Sequence, residues 1–262
     1  MNLQLSGSLA LVSASTKGIG FAIARTLAAE GSRVIVNGRT AASVDDAVDR
    51  ILKEFPQASL EKFPGDLSSA EVADQLAAAF PEVDIVVNNL GIFDPKPFSE
   101  IPDEEWRRFF DVNVLSGVRL SRLYFDGMLK RNRGRIIFIS SESALQIPSE
   151  MIHYGMTKTA QLAVARGLAE LTSGTAVTVN SVLPGPTRSE GVEEFVDKLS
   201  GGKPFADFEQ EFFEKVRPSS LLKRFETTDE IAAIVAFVCS PLASGINGAA
   251  VRADGGVIRS LA

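Results

Sequence analysis

Reactive and metal-binding side chains are scarce in this sequence, which has one cysteine and one histidine among 262 residues. One cysteine cannot form an internal disulfide, so we expect a reducing compartment, with the cytoplasm as the default location. A single histidine and no carboxylates clustered at ligand spacing leave too few donors for a transition-metal site. We therefore expect no metal centre.

Long apolar runs and surplus basic charge are also missing. The apolar segment at residues 9–12 is too short for a signal-peptide core, and no run reaches the roughly 20 residues that a membrane span needs. A net charge of −6 gives no electrostatic reason to expect nucleic-acid binding. The sequence predicts no membrane and no nucleic-acid partner, which leaves a small molecule as the expected partner.

Strand and helix patterns alternate about seven times along the chain, and no linker interrupts them. Such alternation predicts an α/β fold: a doubly wound parallel sheet of about seven strands, with right-handed crossovers that place helices on both faces. Hydrophobic residues make up 45% of the chain, which is ordinary for a globular protein. We expect a single domain over residues 1–262.

Residues 188–225 lack regular periodicity, and a long irregular segment at the ligand-facing edge is typical of a substrate lid. Its phenylalanines predict either an apolar wall for the substrate or simple packing of the segment onto the domain, and the sequence does not separate the two. These phenylalanines are Phe195, Phe205, Phe208, Phe212 and Phe213.

A loop of small residues joins the first strand pattern to the first helix pattern. Backbone N–H groups in such a loop can approach a diphosphate, and the helix N-terminus adds partial positive charge. A plain tight turn explains the same residues about as well. The candidate cofactor contacts in this loop are Ser15, Thr16, Lys17, Gly18, Ile19 and Gly20.

The second strand pattern, residues 33–37, ends in Gly38 and Arg39. Folds that bind the unphosphorylated dinucleotide place an acidic residue about 20 positions after the glycine loop, where it binds the ribose 2′-hydroxyl. Gly38 leaves room for a 2′-phosphate instead, and Arg39 can bind that group through a charge-assisted fork. Lys17 adds a second cation. Two solvated surface cations are the alternative, but their joint placement favours NADP over NAD.

Three further residues predict acid–base chemistry. Tyr154 and Lys158 are four residues apart, so on a helix they share one face. A phenol titrates at about pH 10 in water, and an ammonium group nearby favours the phenolate. Ser141, at the tip of the strand pattern 135–139, can hydrogen-bond the same substrate oxygen. For the tyrosine and lysine alone, a packed ring beside a solvated charge is the competing explanation.

Polar residues also follow two other strand patterns. Asn89 and Gly91 come after residues 83–87, and Asp66 comes after residues 59–63. The carboxyl ends of strands are where ligands bind in open α/β sheets. An asparagine-rich turn and a helix N-cap are the structural alternatives.

Two polar residues in helical patterns need separate explanations. Asn113 lies within the long helical stretch 103–130, where a buried amide is costly unless it is hydrogen-bonded, either structurally or as part of a proton relay. His153 adjoins Tyr154, but adjacent helical residues point about 100° apart. We therefore expect His153 in the lid or on the surface.

In this order, the motifs resemble those of the short-chain dehydrogenase/reductase family, over about Leu5 to Ile258. They are the glycine loop, GDL at Gly65, NNLG at Asn88, Asn113, Ser141, Tyr154-x-x-x-Lys158 and the Pro-Gly turn at Pro184. The resemblance implies a Rossmann-type domain, hydride transfer to or from NAD(P), and a homotetramer or homodimer.

The resemblance also implies a role for each residue. Tyr154 would be the acid/base, and Lys158 would lower its pKa and hold the nicotinamide ribose. Ser141 would orient the carbonyl, while Asn113 would carry a water into a proton relay. The further cofactor contacts that it implies are at Ser13, Asp66, Leu67, Asn89, Gly91, Pro184, Gly185 and Thr187.

The sequence departs from the family pattern in three places. Ala14 stands where the first loop glycine is usual, Leu90 where alanine is usual, and Ser189 where threonine is more common. Because alanine favours a φ below zero, we expect a turn at Ala14 that tolerates a methyl group. Cofactor binding is expected to survive all three departures.

The sequence thus predicts an NADPH-dependent reductase that converts a ketone to an alcohol, with a 3-oxoacyl-type or other apolar carbonyl substrate. Within the resemblance, the tyrosine-to-lysine spacing excludes the bacterial enoyl reductases, and the glycine spacing excludes the extended-branch epimerases. Two alternatives stay open: an NAD-linked sugar or polyol dehydrogenase, and a non-catalytic NADP-binding regulatory or scaffold protein.

Overall fold

The computed structural model describes residues 2–193 and 204–261. Its strands are β1 (Leu9–Val12), β2 (Arg33–Gly38), β3 (Leu60–Pro64), β4 (Ile85–Asn88), β5 (Gly134–Ile139), β6 (Val177–Pro184), β7 (Thr187–Arg188), β8 (Glu226–Thr227) and β9 (Ala250–Ala253). Seven of them form one parallel sheet in the order β3-β2-β1-β4-β5-β6-β9, and β7 pairs with β8 separately. The predicted seven-stranded parallel sheet is confirmed.

Helices cover both faces of this sheet. They are α1 (Gly18–Ala29), α2 (Ala41–Glu54), α3 (Ala70–Ala79), α4 (Asp103–Phe110), α5 (Ser116–Arg131), α6 (Ile152–Glu170), α7 (Phe205–Lys215) and α8 (Thr228–Cys239). One apolar core packs α1, α2 and α8 against the sheet, and a second core packs α3, α5 and α6 against its other face. The central strands β1, β4 and β5 are therefore buried on both sides, which explains their apolar runs.

The predicted long helix over residues 103–130 is interrupted. Residues Asp111–Leu115 form a π-helical turn between α4 and α5. Asn113 lies in this turn and is fully buried. A π-turn widens the helix and redirects its side chains, and such turns occur often at functional sites.

The part of the lid segment from residue 204 onward is more regular than its sequence pattern indicates. It contains α7, whose Phe208 and Phe212 are four residues apart and stack at 6.0 Å between ring centroids. Both rings also lie against Phe225, which closes the segment. Acidic residues between the phenylalanines obscure this helical period. Phe195, which was predicted to belong to the same wall, lies outside the described residues.

The expectation of a negative φ at Ala14 is wrong, because its φ is +52°, in the left-handed region. Two side chains fix this conformation. Asn37 Oδ1 accepts a hydrogen bond from the Ala14 N–H at 3.0 Å, and Asn89 Nδ2 donates to the Ala14 carbonyl at 3.1 Å. The two asparagines therefore stabilise a left-handed backbone conformation at an alanine, although glycine would adopt it at a lower cost in conformational free energy.

Ala14→Gly is expected to raise the free energy of unfolding by roughly 0.5–1 kcal/mol, because it removes a left-handed alanine while adding some unfolded-state entropy. Urea denaturation measures the change. Ala78→Gly is the matched control, since Ala78 is exposed on α3 and the change there should cost about 0.5–1 kcal/mol. Equal losses in both variants would contradict the interpretation of Ala14.

Candidate active site

Ser141, Tyr154 and Lys158 line one cavity of about 280 Å³ at the carboxyl ends of β4, β5 and β6. Ser141 follows β5, and the other two residues lie one turn apart on α6. Lys158 Nζ lies 5.5 Å from the centroid of the Tyr154 ring and donates a hydrogen bond to the Ile139 carbonyl at 2.9 Å. The structure therefore brings together the three residues that the sequence singled out.

Burial dominates the electrostatics of this trio. It raises the pKa of the Tyr154 phenol, the negative charge of Glu142 raises it further, and a Ser141 hydrogen bond and Arg217 lower it. Burial also lowers the pKa of Lys158 to about 8. In this structure the phenol is protonated at neutral pH, which is the form that a general acid needs. A lowering of the phenol pKa by Lys158 stays a prediction.

Asn113 uses its whole side-chain amide to hold the chain after β4. Its Oδ1 accepts a hydrogen bond from the Ile92 N–H at 2.7 Å, and its Nδ2 donates to the Ile92 carbonyl and to Thr157 Oγ1, each at 3.0 Å. The side chain therefore has a structural role in shaping the cavity wall. Its part in a proton relay stays a prediction.

Gln161 is a buried residue near this site that the sequence analysis missed. Its Nε2 donates to the Asn113 carbonyl at 2.6 Å, and its Oε1 lies 3.4 Å from Lys158 Nζ. The amide thus connects the lysine to the π-turn. Its position three residues after Lys158, on nearly the same helical face, was the available signal.

Glu142 and Arg217 are two further charged residues that the sequence analysis missed. Both line the cavity, and both side chains are under one-tenth exposed. Arg217 Nε donates to Glu142 Oε1 at 2.9 Å. A carboxylate directly after the candidate serine was the signal for the first, whereas no local pattern identifies the second.

The lid phenylalanines serve in both of the ways that the sequence left open. Phe208 and Phe212 line the cavity beside Phe225. Phe213 is buried in the domain, and Phe205 packs against Phe225 at 5.5 Å between ring centroids. The cavity is thus apolar on its lid side and polar around Ser141.

The loop before α1 can hold a diphosphate. The Gly18 N–H, at the helix N-terminus, donates to Glu190 Oε2 at 2.8 Å, so a carboxylate stands here in the place of a phosphate oxygen. A Cβ at Gly20 would lie 2.3 Å from the Ala14 carbonyl oxygen, so only glycine fits this turn. The residues present fit the diphosphate of a dinucleotide. The Glu190 carboxylate would have to move away from the Gly18 N–H for the diphosphate to bind there.

Two of the predicted cofactor-contact residues form hydrogen bonds that link the glycine loop to neighbouring strands. Ser13 Oγ accepts hydrogen bonds from the N–H groups of Asn89 and Leu90, at 2.9 and 3.0 Å. Ser15 Oγ accepts from the Asn37 N–H at 2.9 Å. These side chains join β1, β2 and β4, so they shape the loop whether or not they touch the cofactor.

The predicted 2′-phosphate site lies at the tip of β2. Arg39 is exposed directly after β2, and Lys17 is exposed in the glycine loop, as a phosphate ligand requires. Gly38 also has a packing reason to be glycine, since a Cβ would lie 2.4 Å from Thr16 Cγ2.

The proposed adenine contacts are mixed. Asp66 is exposed, and its Oδ1 accepts hydrogen bonds from the Ser68 N–H and Oγ. It is therefore not the N-cap of α3, which is Ser69. The Leu67 side chain is buried in the core, so its side chain cannot line an adenine pocket.

The turn after β6 lies opposite the glycine loop across the cavity. Pro184, Gly185 and Thr187 line it, together with Ile19, Asn89 and Gly91 on the loop side. Thr187 Oγ1 donates to the Gly185 carbonyl at 2.9 Å. The Gly185 N–H donates to Glu226 Oε2 at 3.0 Å, so a carboxylate from β8 also holds this turn.

Glu226 is expected to make stability fall with rising pH. Burial, Glu230 and Asp254 raise its pKa from 4.5 to about 7, although the hydrogen bond from the Gly185 N–H and the charge of Arg224 lower the pKa and offset part of that rise. The unfolded chain therefore loses this proton first, and folding weakens between about pH 4.5 and pH 7. Glu226→Gln keeps an acceptor for Gly185, so urea denaturation should show it gaining stability over the wild type as pH rises, by about 3 kcal/mol at most.

Glu230→Gln is the control with the opposite sign. The pKa of Glu230 is lowered to about 2, mainly by Arg224, so this carboxylate stabilises the fold above the unfolded value and loses that effect in acid. Its variant should lose stability against the wild type as pH rises. The same pH trend in both variants would contradict the pKa directions.

The prediction for His153 is wrong, because the residue is fully buried. Its ring lies between Trp106 and Phe109, at 5.9 and 4.0 Å between centroids. Burial lowers its pKa, with Nε2 3.7 Å from Glu105 Oε1. The angle argument excluded the Tyr154 face correctly but did not exclude the core between α4 and α6.

Within residues 2–193 and 204–261, no cluster of histidine, cysteine or acidic side chains could hold a metal ion. In the same ranges, no helix combines the length and apolar character needed to cross a membrane.

The fold and this site define an oxidoreductase of the short-chain dehydrogenase/reductase family, to which the chain belongs. Residues 13–258 match a family described as enoyl-(acyl carrier protein) reductase. The exclusion of enoyl reduction stays a prediction that depends on the tyrosine-to-lysine spacing.

Particular relatives cover all or nearly all of the chain. It is 49% identical to the uncharacterised oxidoreductase YvaG of Bacillus subtilis, over 100% of both chains. It is 29% identical to the 3-oxoacyl-[acyl-carrier-protein] reductase FabG of Escherichia coli, over 97% of this chain and 99% of that protein. The crystal structure of L-sorbose reductase from Gluconobacter frateurii, complexed with NADPH and L-sorbose, superposes with a TM-score of 0.92 at 27% identity, over 100% of both chains.

Proposed function

We propose that this protein is an NADPH-dependent reductase that converts a ketone to an alcohol. One observation carries the proposal: the Tyr154 phenol and the Ser141 hydroxyl share a cavity with the turn at Pro184–Thr187 and with Ile19 of the glycine loop. A carbonyl oxygen bound there can accept a hydrogen bond from the Tyr154 hydroxyl, and a second from Ser141 once the serine proton turns from Glu142 to the substrate. The nicotinamide cofactor would supply the hydride, and Tyr154 would supply the proton.

The preference for NADPH is supported by the tip of β2. Arg39 is exposed directly after β2, and no acidic residue occupies the Gly38 position. An arginine fork suits a phosphate, whereas a carboxylate would repel it. The L-sorbose reductase of similar fold was solved with NADPH, which also supports the phosphorylated cofactor.

Two substrate classes are supported by different parts of the cavity. The phenylalanine wall of the lid favours an apolar chain next to the carbonyl, as in a 3-oxoacyl compound, and FabG is a relative of that type. The polar end at Ser141, Glu142 and Arg217 favours a hydroxylated substrate, and L-sorbose is the ligand named for the solved neighbour. We propose the apolar carbonyl first and the sugar or polyol second.

Oxidation of NADPH, followed at 340 nm with a panel of carbonyl compounds, tests the proposal. The panel comprises a 3-oxoacyl thioester, a small diketone, a keto sugar and an enoyl thioester, each also run with NADH. We expect turnover with the 3-oxoacyl thioester or diketone. NADPH binding by fluorescence without any turnover would instead support the regulatory or scaffold alternative, and turnover of the enoyl thioester alone would overturn ketone reduction.

The family resemblance also supports a homotetramer or homodimer in the cytoplasm. Burial raises the pKa of the Cys239 thiol to about 12, so this cysteine is poorly suited to form an intersubunit disulfide. Light scattering during size-exclusion chromatography would measure the assembly, and a monomer would overturn the homotetramer.

A further inference from the structure

The polar end of the cavity contains a carboxylate, Glu142, that accepts four hydrogen bonds. Glu142 Oε2 accepts hydrogen bonds from Ser141 Oγ at 2.5 Å and from the Ser143 N–H and Oγ at 2.8 and 3.0 Å. Its Oε1 accepts from Arg217 Nε at 2.9 Å. A carboxylate offers about four acceptor sites, so Glu142 is held in one orientation. Its strongest contact is with the hydroxyl proposed to bind the substrate.

Arg217 connects this carboxylate to the lid. It follows α7, and its guanidinium carbon lies 5.8 Å from the centroid of the Phe212 ring that lines the cavity. On the solvent side, its Nη1 donates to Glu150 Oε1 at 3.1 Å. Glu150 is 40% exposed and does not belong to the cavity lining. The ion pair therefore joins the lid to the end of β5.

We propose that Glu142 and Arg217 are a positioning pair for the catalytic serine and tyrosine, an inference that rests on the proposed function. Ser141 has one hydroxyl proton, which it donates to Glu142, while its oxygen accepts from the Ser143 N–H at 3.1 Å. Glu142 therefore fixes the rotamer of Ser141 and the direction of the serine hydroxyl proton. Arg217 pairs with this buried carboxylate, Nε to Oε1, at 2.9 Å.

The pair also sets the charge around the phenol. The charged groups that act on Tyr154 are Glu142 at the end of β5, Arg217 after α7, and Lys158 on the same helix. Glu142 raises the pKa of Tyr154 and Arg217 lowers it. Removing either charge should therefore move the pH dependence of catalysis, in opposite directions.

Glu142→Gln, which keeps the size of the side chain, tests the pair. In the reduction direction Tyr154 must be protonated, so the high-pH decline of kcat/KM should move to lower pH by about half a unit or more. Glu150→Gln is the matched control, because it faces the same arginine from outside the cavity, and its decline should not move. Arg217→Gln, if it folds, should move the decline to higher pH.

A double-mutant cycle tests whether Glu142 acts through Ser141. Glu142→Gln should lower kcat by about tenfold in the wild-type background, and by less than about twofold in Ser141→Ala. The positioning role would be overturned if the high-pH decline of kcat/KM in Glu142→Gln stayed at the wild-type pH and kcat fell by the same factor in both backgrounds.

A measurement without turnover separates this inference from the proposed function. The chain has two tyrosines, so the signal of Tyr154 in protein labelled with ¹³Cζ-tyrosine is assigned by its loss in Tyr154→Phe. The chemical shift of this signal moves downfield when the phenol ionises. That change should begin at lower pH in Glu142→Gln than in the wild type and in Glu150→Gln. If the Tyr154 signal shifts in this way but no carbonyl compound is turned over, only the reductase proposal is removed. If the signal has the same pH dependence in all three proteins, the positioning pair is removed whatever the activity.

Discussion

Tyr154→Phe is expected to lower kcat for ketone reduction by roughly 10²–10⁴-fold, because the variant lacks the proton donor but keeps the ring. NADPH affinity should stay within about threefold, since the phenol is only one of many cofactor contacts. Stopped-flow or steady-state oxidation of NADPH gives the first quantity, and quenching of protein fluorescence gives the second.

Tyr124→Phe is the matched control for that change. Tyr124 is the other tyrosine of the chain, it is buried on α5, and its hydroxyl has no hydrogen-bond partner among residues 2–193 and 204–261. Removing this hydroxyl should leave kcat unchanged. Full activity in Tyr154→Phe, or equal losses in the two variants, would remove the tyrosine from the mechanism.

Arg39→Asp is expected to change the cofactor. Loss of a charge-assisted contact and gain of a repulsive carboxylate should raise the Kd for NADPH by about 100-fold, while NADH gains a partner for its ribose 2′-hydroxyl. The ratio of kcat/KM for NADPH to that for NADH measures the switch. The affinity loss should also shrink as salt is added, because part of it is electrostatic.

Arg108→Asp changes the net charge by the same amount at an exposed position of α4, which is not part of the nucleotide loop. It should leave the cofactor ratio unchanged. Unaltered NADPH affinity in Arg39→Asp would show that the 2′-phosphate lies elsewhere, and Lys17 would then be the next residue to test.

Features with a strong local cause were predictable from the sequence. The sheet follows from the alternation of apolar strands with amphipathic helices. The helix α8 begins at a capping box, in which Thr227 and Glu230, three residues apart, exchange hydrogen bonds. Tyr154 and Lys158 share a face because the helical period requires it. Ser141 joins them because parallel strands end at one edge of the sheet.

Features that depend on distant partners were not predictable in this way. Ala14 is left-handed because asparagines 23 and 75 residues away bind its backbone. His153 is buried because α4 supplies two aromatic rings around it. Arg217 reaches Glu142 across 75 residues. Each is a tertiary contact between segments whose own sequences give no sign of it.

Transfer of deuterium from NADPH labelled at C4 of the nicotinamide tests the central claim most directly. Tyr154, Ser141 and the cofactor are claimed to act on one carbonyl, so mass spectrometry and NMR of the product should find one deuterium on the carbinol carbon. Deuterium on the β-carbon of a product whose carbonyl is unreduced, or oxidation of NADPH with no label in the product, would contradict it.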